Sequence, residues 1–286
     1  MSKRPIDLLT ILDLERIQTD LFLGKSSNAS SQQVFGGQII GQSMVAASRS
    51  VKGQVAHSLH GYFVRAGDPR VPILYKVGSL RDSQSYSIRS VTAIQHGNMI
   101  FSIMISFHAH EQSVFDHQDY MPALPPPERH THQGLSKRST LPAMMERSRA
   151  YCESDCPLEL RPVEIDRNVG ENINDARTHI WIKSAAKLPD DPALHKCALA
   201  YASDWALLDT VMARYGRSLW DRRMMSASLD HAMWFHRPFR ADDWLLYVQE
   251  SPSAQGGRGF ARGLIFDLGG ALVASVAQEG VVRKRR

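Results

Sequence analysis

DPALHKCALAYASDWALLDTVMARYG, residues 191–216, is the stretch on which the reading of the whole chain turns. It opens with a start signal, Asp191 as N-cap and Pro192 in the first helical position, and closes on Gly216, a stop signal. Between them Leu194, Cys197, Ala198, Tyr201, Ala202, Trp205, Leu208 and Met212 form an apolar stripe of helical period. The spacing predicts one helix, roughly 36 Å long at ~1.5 Å per residue, enough to cross a whole sheet. Strand-like segments follow it. In the last of them Leu272, Ala274, Val276, Gln278 and Val282 point one way, and Ala271, Val273, Ser275, Ala277 and Glu279 the other. Tight turns fit at Gln255-Gly256-Gly257 and at Gly269-Gly270. With no helices between the strands, an antiparallel meander is expected.

Upstream, the same order recurs. Phe63 and Arg65 match Phe235 and Arg237, Leu74 and Tyr75 match Leu246 and Tyr247, and Gly97 matches Gly269, all at a single offset of 172 residues. A helix over 36–50 precedes the first copy's strands. A duplicated module explains this order. Each copy reads as a long helix followed by several strands of a curved antiparallel sheet, an α+β fold made twice. Pro122, Pro125, Pro126 and Pro127 lie in the intervening stretch, whose composition resists packing. The expected division is 1–115, a linker over 116–150, and 151–286.

Composition narrows the function classes. The 286 residues are 43% hydrophobic, enough for a core. No apolar run approaches the roughly 20 residues of a membrane span. The N-terminal segment lacks the apolar region of a secretory signal, and the final residues are not a peroxisomal address. Cys152, Cys156 and Cys197 are odd in number and lack metal-ligand spacing, so neither a disulfide framework nor a zinc ribbon is expected, and a cytoplasmic location is. Net charge is +5, yet the basic residues are scattered outside Arg283–Arg286, which argues against a nucleic-acid partner and is compatible with a phosphate-rich anionic substrate.

Three polar residues stand out. Gln278 lies on an apolar strand face, where an amide needs partners. A bond to nearby backbone would suffice, but the counterpart in the first copy is Ser106, so the module does not demand glutamine there. Asp204 falls beside the apolar stripe, mid-helix and so not a cap; it either pairs with a cation on a solvated flank or is a partly buried carboxylate with a shifted pKa. Ser228 opens the strand ending in His236-Arg237, where the first copy has Ala56. A local hydrogen-bonding role is the simple reading of each alone. Together they mark the second copy as the one that carries a site.

Val34-Phe-Gly-Gly-Gln-Ile-Ile-Gly-Gln, His57-Ser-Leu-His-Gly-Tyr-Phe, Tyr201-Ala-Ser-Asp, Leu229-Asp-His-Ala-Met-Trp-Phe-His-Arg-Pro-Phe-Arg, Trp244-Leu-Leu-Tyr and Ala277-Gln-Glu-Gly resemble the acyl-CoA thioesterase II family. The likeness covers nearly all of the chain except the linker. It implies two fused hotdog modules, hydrolysis of acyl-CoA to free acid and CoA, and a site formed by Asp204, Ser228 and Gln278. It also implies no cofactor, CoA being part of the substrate, and a homo-oligomer, dimer or tetramer. Two departures touch the surroundings: Ser83 stands where the family often has glycine, and Ser90 where it often has a second arginine.

In the mechanism so implied, the three side chains converge on one water that attacks the thioester carbonyl, with Asp204 as general base and the other two orienting it. Candidate contacts for the CoA phosphates are Arg89, Arg258 and Arg262. Gly36, Gly37 and Gly41 either let backbone approach a ligand or serve helix–sheet packing, and His57 is a candidate substrate-side residue. Other motifs fail. Gly24-Lys25-Ser26 lacks the first glycine of a P-loop, having Thr19 there; Gly41 to Val45 lacks the second glycine of a nucleophile elbow. His130 and His132 sit in the linker, and His231 and His236 share a strand run, so neither pair reads as a metal site. Two rivals stay open: a double-hotdog enoyl-CoA hydratase, which resembles an Asp with a His five residues on, where this chain has Asp209, and a non-catalytic acyl-CoA-binding protein.

Overall fold

The computed structural model describes residues 7–26, 33–129, 156–163, 177–217, 221 and 223–285. A short helix α1 (Leu8–Leu12) and strands β1 (Leu14–Gln18) and β2 (Leu21–Gly24) lead to helix α2 (Gly36–Ser48). Four strands follow: β3 (Val55–Phe63), β4 (Ile73–Asp82), β5 (Tyr86–Gln95) and β6 (Asn98–His108). The second copy begins with β7 (Leu158–Pro162) and β8 (Thr178–Ser184), then α3 (Pro192–Ser203) and α4 (Asp209–Ala213). It ends with β9 (Met224–Ser228), β10 (Asp230–Phe235), β11 (Leu245–Gln255), β12 (Arg258–Asp267) and β13 (Leu272–Lys284).

All the strands join one 13-stranded sheet in the order β1-β2-β4-β5-β6-β3-β10-β13-β12-β11-β8-β7, with β9 also on β13. Every strand pairing among the described residues is antiparallel. The order is a palindrome of the repeat: β4-β5-β6-β3 on one side mirrors β10-β13-β12-β11 on the other. The copies meet edge to edge, with Leu59 of β3 opposite Met233 of β10, so each module's open edge is covered by the other. Repeat partners occupy like places. Tyr75 and Tyr247 are both fully buried, and their hydroxyls donate to Gln42 Oε1 at 2.6 Å and Ser203 O at 2.8 Å. The fold is a double hotdog.

The predicted hairpins form where glycine allows them. Gln255 pairs with Arg258 across Gly256 and Gly257, at φ of 60° and 75°, the left-handed pair that a tight two-residue turn requires.

Helices α2 and α3 cross inside the sheet with almost nothing between them. A Cβ on Gly37 would lie 2.2 Å from Tyr201 O, and one on Gly41 would lie 3.1 Å from Tyr201 Cβ. These two glycines serve helix–helix contact between the copies, which neither sequence alternative, ligand approach or helix–sheet packing, anticipated. Ile39, Ile40, Met44, Ala46 and Ala47 are buried around α2, as befits a helix enclosed on all sides. Gly37→Ala should destabilise the chain by roughly 1–3 kcal/mol through overpacking. A fall in the calorimetric Tm checks this; an unchanged Tm would mean the helices part freely.

Three expectations need correction. The single helix over 191–216 is broken: α3 stops at Ser203 and α4 resumes at Asp209. Strands also precede each main helix, which the sequence reading missed. Residues 116–129 do pack: Gln118 bonds Gly270 O and Leu272 N, and the Trp181 indole donates to Pro125 O. Met121 and Leu124 cover an outer cluster of Trp181, Leu246, Phe266 and Leu272. A proline-rich strap has no amide ladder to satisfy, so side chains and carbonyls make its contacts. Cys156 and Cys197 are buried and not joined in a disulfide, while Cys152, His130 and His132 lie outside the described residues.

Candidate active site

Asp204 is the C-cap of α3, with φ −79° and ψ −7°. Around the helix end two carbonyls find partners on β11: Tyr247 donates to Ser203 O, and Gln249, fully buried, donates from Nε2 to Trp205 O, just past the helix, at 3.0 Å. Two residues on, Ala206 takes a positive φ of 59°, unusual for a residue with a Cβ. The break frees the Asp204 carboxylate from the flank of a continuous helix and sets it against the N-terminus of α2. A Cβ on Gly36 would lie 2.7 Å from Asp204 Oδ2, and the Gly37 N–H hydrogen-bonds the carboxylate. The site therefore joins both copies: the acid comes from the second, the helix end that receives it from the first.

Ser228 is aimed by a register shift. On the strand partner β13, Ser228 faces Gly280, whereas Ala232 faces Ala277. One extra residue is accommodated around Leu229, a bulge of the kind that redirects side chains beside functional sites. Asp230 Oδ1 accepts the Glu279 N–H at 2.7 Å where the ladder is interrupted. The shift puts Ser228 on the same face as Gly280 and hence Gln278.

Gln278, 1% exposed, links the three. Its Nε2 donates to Asp204 Oδ1 at 2.8 Å and to Ser228 Oγ at 2.7 Å. One amide nitrogen thus spends both protons on the two other candidates. Burial pushes the Asp204 carboxyl up to about 6, against the opposing pull of the Gln278 amide and the Gly37 N–H. A carboxylate poised near neutral pH, held by an amide and beside a hydroxyl, can accept a proton from a water while its neighbours fix that water.

The other sequence candidates are placed elsewhere or otherwise engaged. The Arg89 guanidinium is buried and spends its donors inside the fold, on Ser50 Oγ, Ser50 O, Arg81 O, Ile88 O and, at 2.6 Å, Asp82 Oδ1. As a phosphate contact it is corrected to a structural arginine. Arg258 and Arg262 share the outward face of β12 and stay exposed, paired with Glu279 and Glu250. His57 bonds Ser106 Oγ at 2.8 Å and packs edge-on to Tyr86 and His108. It belongs to the first copy's equivalent position, where Ala56 and Ser106 stand for Ser228 and Gln278. Ser83 closes its turn by bonding Tyr86 O at 2.7 Å, and Ser90 fits beside Gly78, so both departures are absorbed locally. Among the described residues no group of three or more His, Cys, Asp and Glu is placed to hold a metal ion.

Sequence reasoning missed His231 and Ser203, both fully buried against the cluster. The signal available was an inward-facing histidine on an otherwise apolar strand face.

Known proteins share this fold and sequence pattern. The family model for acyl-CoA thioesterase matches residues 148–281, and that for the acyl-CoA thioesterase N-terminal domain matches residues 25–108. Human acyl-coenzyme A thioesterase 8 is 39% identical over 98% of this chain and 90% of its own length. The chain belongs to the acyl-CoA thioesterase family. Acyl-CoA thioesterase 2 of Haemophilus influenzae is 34% identical, with 97% of each chain covered. The crystal structure of the acyl-CoA thioesterase II TesB2 from Mycobacterium marinum superposes with a TM-score of 0.78 at 40% identity, over 96% of this chain and 98% of that one. Both family models thus fall on the two hotdog modules, and the carboxylate–amide–hydroxyl cluster lies in the thioesterase module of the second.

Proposed function

We propose that this chain hydrolyses acyl-CoA thioesters to free acid and CoA by direct attack of a single water held by Asp204, Ser228 and Gln278. The observation that carries this reading is the Gln278 amide, which bonds the carboxylate at 2.8 Å and the hydroxyl at 2.7 Å from one nitrogen. The water gives its proton to Asp204 as its oxygen bonds to the carbonyl carbon. When the tetrahedral intermediate collapses, the C–S bond breaks, the electron pair leaves on sulfur, and Asp204 returns the proton to the thiolate. No cofactor enters this scheme.

Around that centre the reading extends outward. Residues 151–286 form the working module, 1–115 the module that supplies Gly36 and Gly37, and 116–150 the connection. Arg258 and Arg262, exposed on β12, attract the CoA phosphates, and no helix among the described residues is long and apolar enough to cross a membrane. Buried cysteines that form no disulfide with each other suit a cytoplasmic protein. We expect homo-oligomers, to be sized by light scattering.

Incubation with saturated and enoyl-CoAs separates the readings. Free thiol supports the thioesterase; loss of enoyl absorbance without thiol would favour a hydratase, and binding with neither would favour a sensor. A pH profile adds a sharper check. A general base works only when ionised, so kcat/KM should be half-maximal near pH 6, the value to which Asp204 is pushed, level off about one unit above it and fall about tenfold per unit well below it. A flat profile down to pH 4.5 would contradict the assignment.

A further inference from the structure

Two buried polar atoms beside the cluster have no protein partner within hydrogen-bond geometry: Gln278 Oε1 and His231 Nδ1. Both residues are almost completely enclosed, at 1% and 0% exposure. Strands β10 and β13 pair Ala232 with Ala277. Continued by one residue, that register would set His231 opposite Gln278, and facing residues of antiparallel neighbours share one face of the sheet. Burial lowers the ring's pKa and the neighbouring Gln278 side chain acts in the opposite direction.

The tautomer decides what this contact is. Ser203 Oγ lies 2.8 Å from His231 Nε2 and 2.9 Å from Ala200 O. A hydroxyl has one proton to donate. If Ala200 O receives it, Nε2 carries the ring hydrogen, and Nδ1 turns a lone pair toward Gln278 Oε1. Two acceptors then face each other in a dry interior. If Nε2 receives it, the ring hydrogen sits on Nδ1 and meets Gln278 Oε1. One bond to a helix carbonyl is lost, and both orphaned atoms are satisfied.

We infer that His231 is a positioning residue: protonated on Nδ1 and accepting from Ser203 at Nε2, it donates to Gln278 Oε1 and so keeps both amide protons turned to Asp204 and Ser228. The inference rests on the proposed role of those three residues. An amide has two orientations of nearly equal shape. The flipped one would aim Oε1 at the Asp204 carboxylate and lose both bonds from Nε2. Burial keeps the ring neutral near pH 7, its pKa pushed down to about 4. Ser203 immediately precedes Asp204, so the same relay ties the end of α3 to β10.

Two measurements on the full chain test this. Long-range proton–nitrogen spectra of the 15N-histidine-labelled protein at pH 7 report each ring tautomer, with His231 assigned by the signal lost in His231→Asn. The expected result is hydrogen on Nδ1; hydrogen on Nε2 would overturn the inference. In kinetics, His231→Phe should lower kcat about 10- to 100-fold with KM nearly unchanged, a loss typical of partners that orient a reacting group. His231→Asn places an amide donor near the position of Nδ1 and should recover most of that loss. Equal losses in both folded variants, or full turnover in His231→Phe, would overturn it. If His231→Phe does not fold, the tautomer and the turnover of His231→Asn decide. Wild-type protein that releases no thiol from acyl-CoA would sink the reading of the site instead, whatever the tautomer.

Discussion

Asp204→Asn is expected to lower kcat about 10²–10⁴-fold, the usual worth of a general base, while the protein becomes more stable. Both effects have one origin. The carboxylate is pushed to about 6 because burial penalises its charge. The folded-state value lies above the ordinary 3.8, so folding is not penalised below pH 3.8, is increasingly penalised between 3.8 and 6, and bears the full penalty above 6. Asparagine removes that charge while keeping an oxygen that can accept from Gln278. A gain on the order of 1–3 kcal/mol at pH 7 follows, less than the full linkage value because the residue keeps some contact with solvent. Stopped-flow thiol release measures the first effect and calorimetry the second. Near-wild-type turnover in the folded variant would remove Asp204 from the chemistry; a lower Tm would show that the carboxylate stabilises the helix junction instead.

Gln278→Glu is expected to cost as much or nearly so. It preserves length and volume at a position 1% exposed, but it replaces two donated protons with a second acid. Asp204 Oδ1 and Ser228 Oγ both lose their donor. Two enclosed carboxyls at contact distance cannot both ionise, so they share a proton and the pair titrates in two separated steps. We expect kcat at neutral pH to drop about 10²–10³-fold, comparable with removal of a preorganised donor, and the pH profile to move upward as the pair holds its proton longer. An unchanged profile with modest loss would mean that Gln278 is merely a packing residue.

Much of this was legible before any coordinates. The offset between the copies follows from backbone pattern, and pattern survives duplication: Tyr75 and Tyr247 keep the same burial and the same task of clamping a polar partner. Ser228 and Gln278 were visible because the first copy has Ala56 and Ser106 in their places, whereas Asp204 is singled out chiefly by the family resemblance. What stayed hidden depends on contacts between segments distant in the chain. The apolar stripe runs on past Asp204 to Met212, so periodicity cannot register the break made by Tyr247, Gln249 and the left-handed Ala206. The alternation of Ser228 to Phe235 gives no hint of the bulge at Leu229, since a slip of one residue only exchanges faces. Gly36 and Gly37 could not be tied to Asp204 from sequence, because the two copies meet there only after folding. Arg89 shows the opposite difficulty: beside a turn it has the look of a phosphate contact, yet the side chain is buried and neighbouring groups claim its donors.

The central claim is that water, not an enzyme side chain, attacks the thioester. Rapid-quench single-turnover reactions analysed by intact-protein mass address it most directly. The account predicts that thiol is released at the rate of acid formation, with no initial burst and no acylated protein at any time. A burst of one thiol per chain, with an acyl group trapped on Ser228, would contradict it.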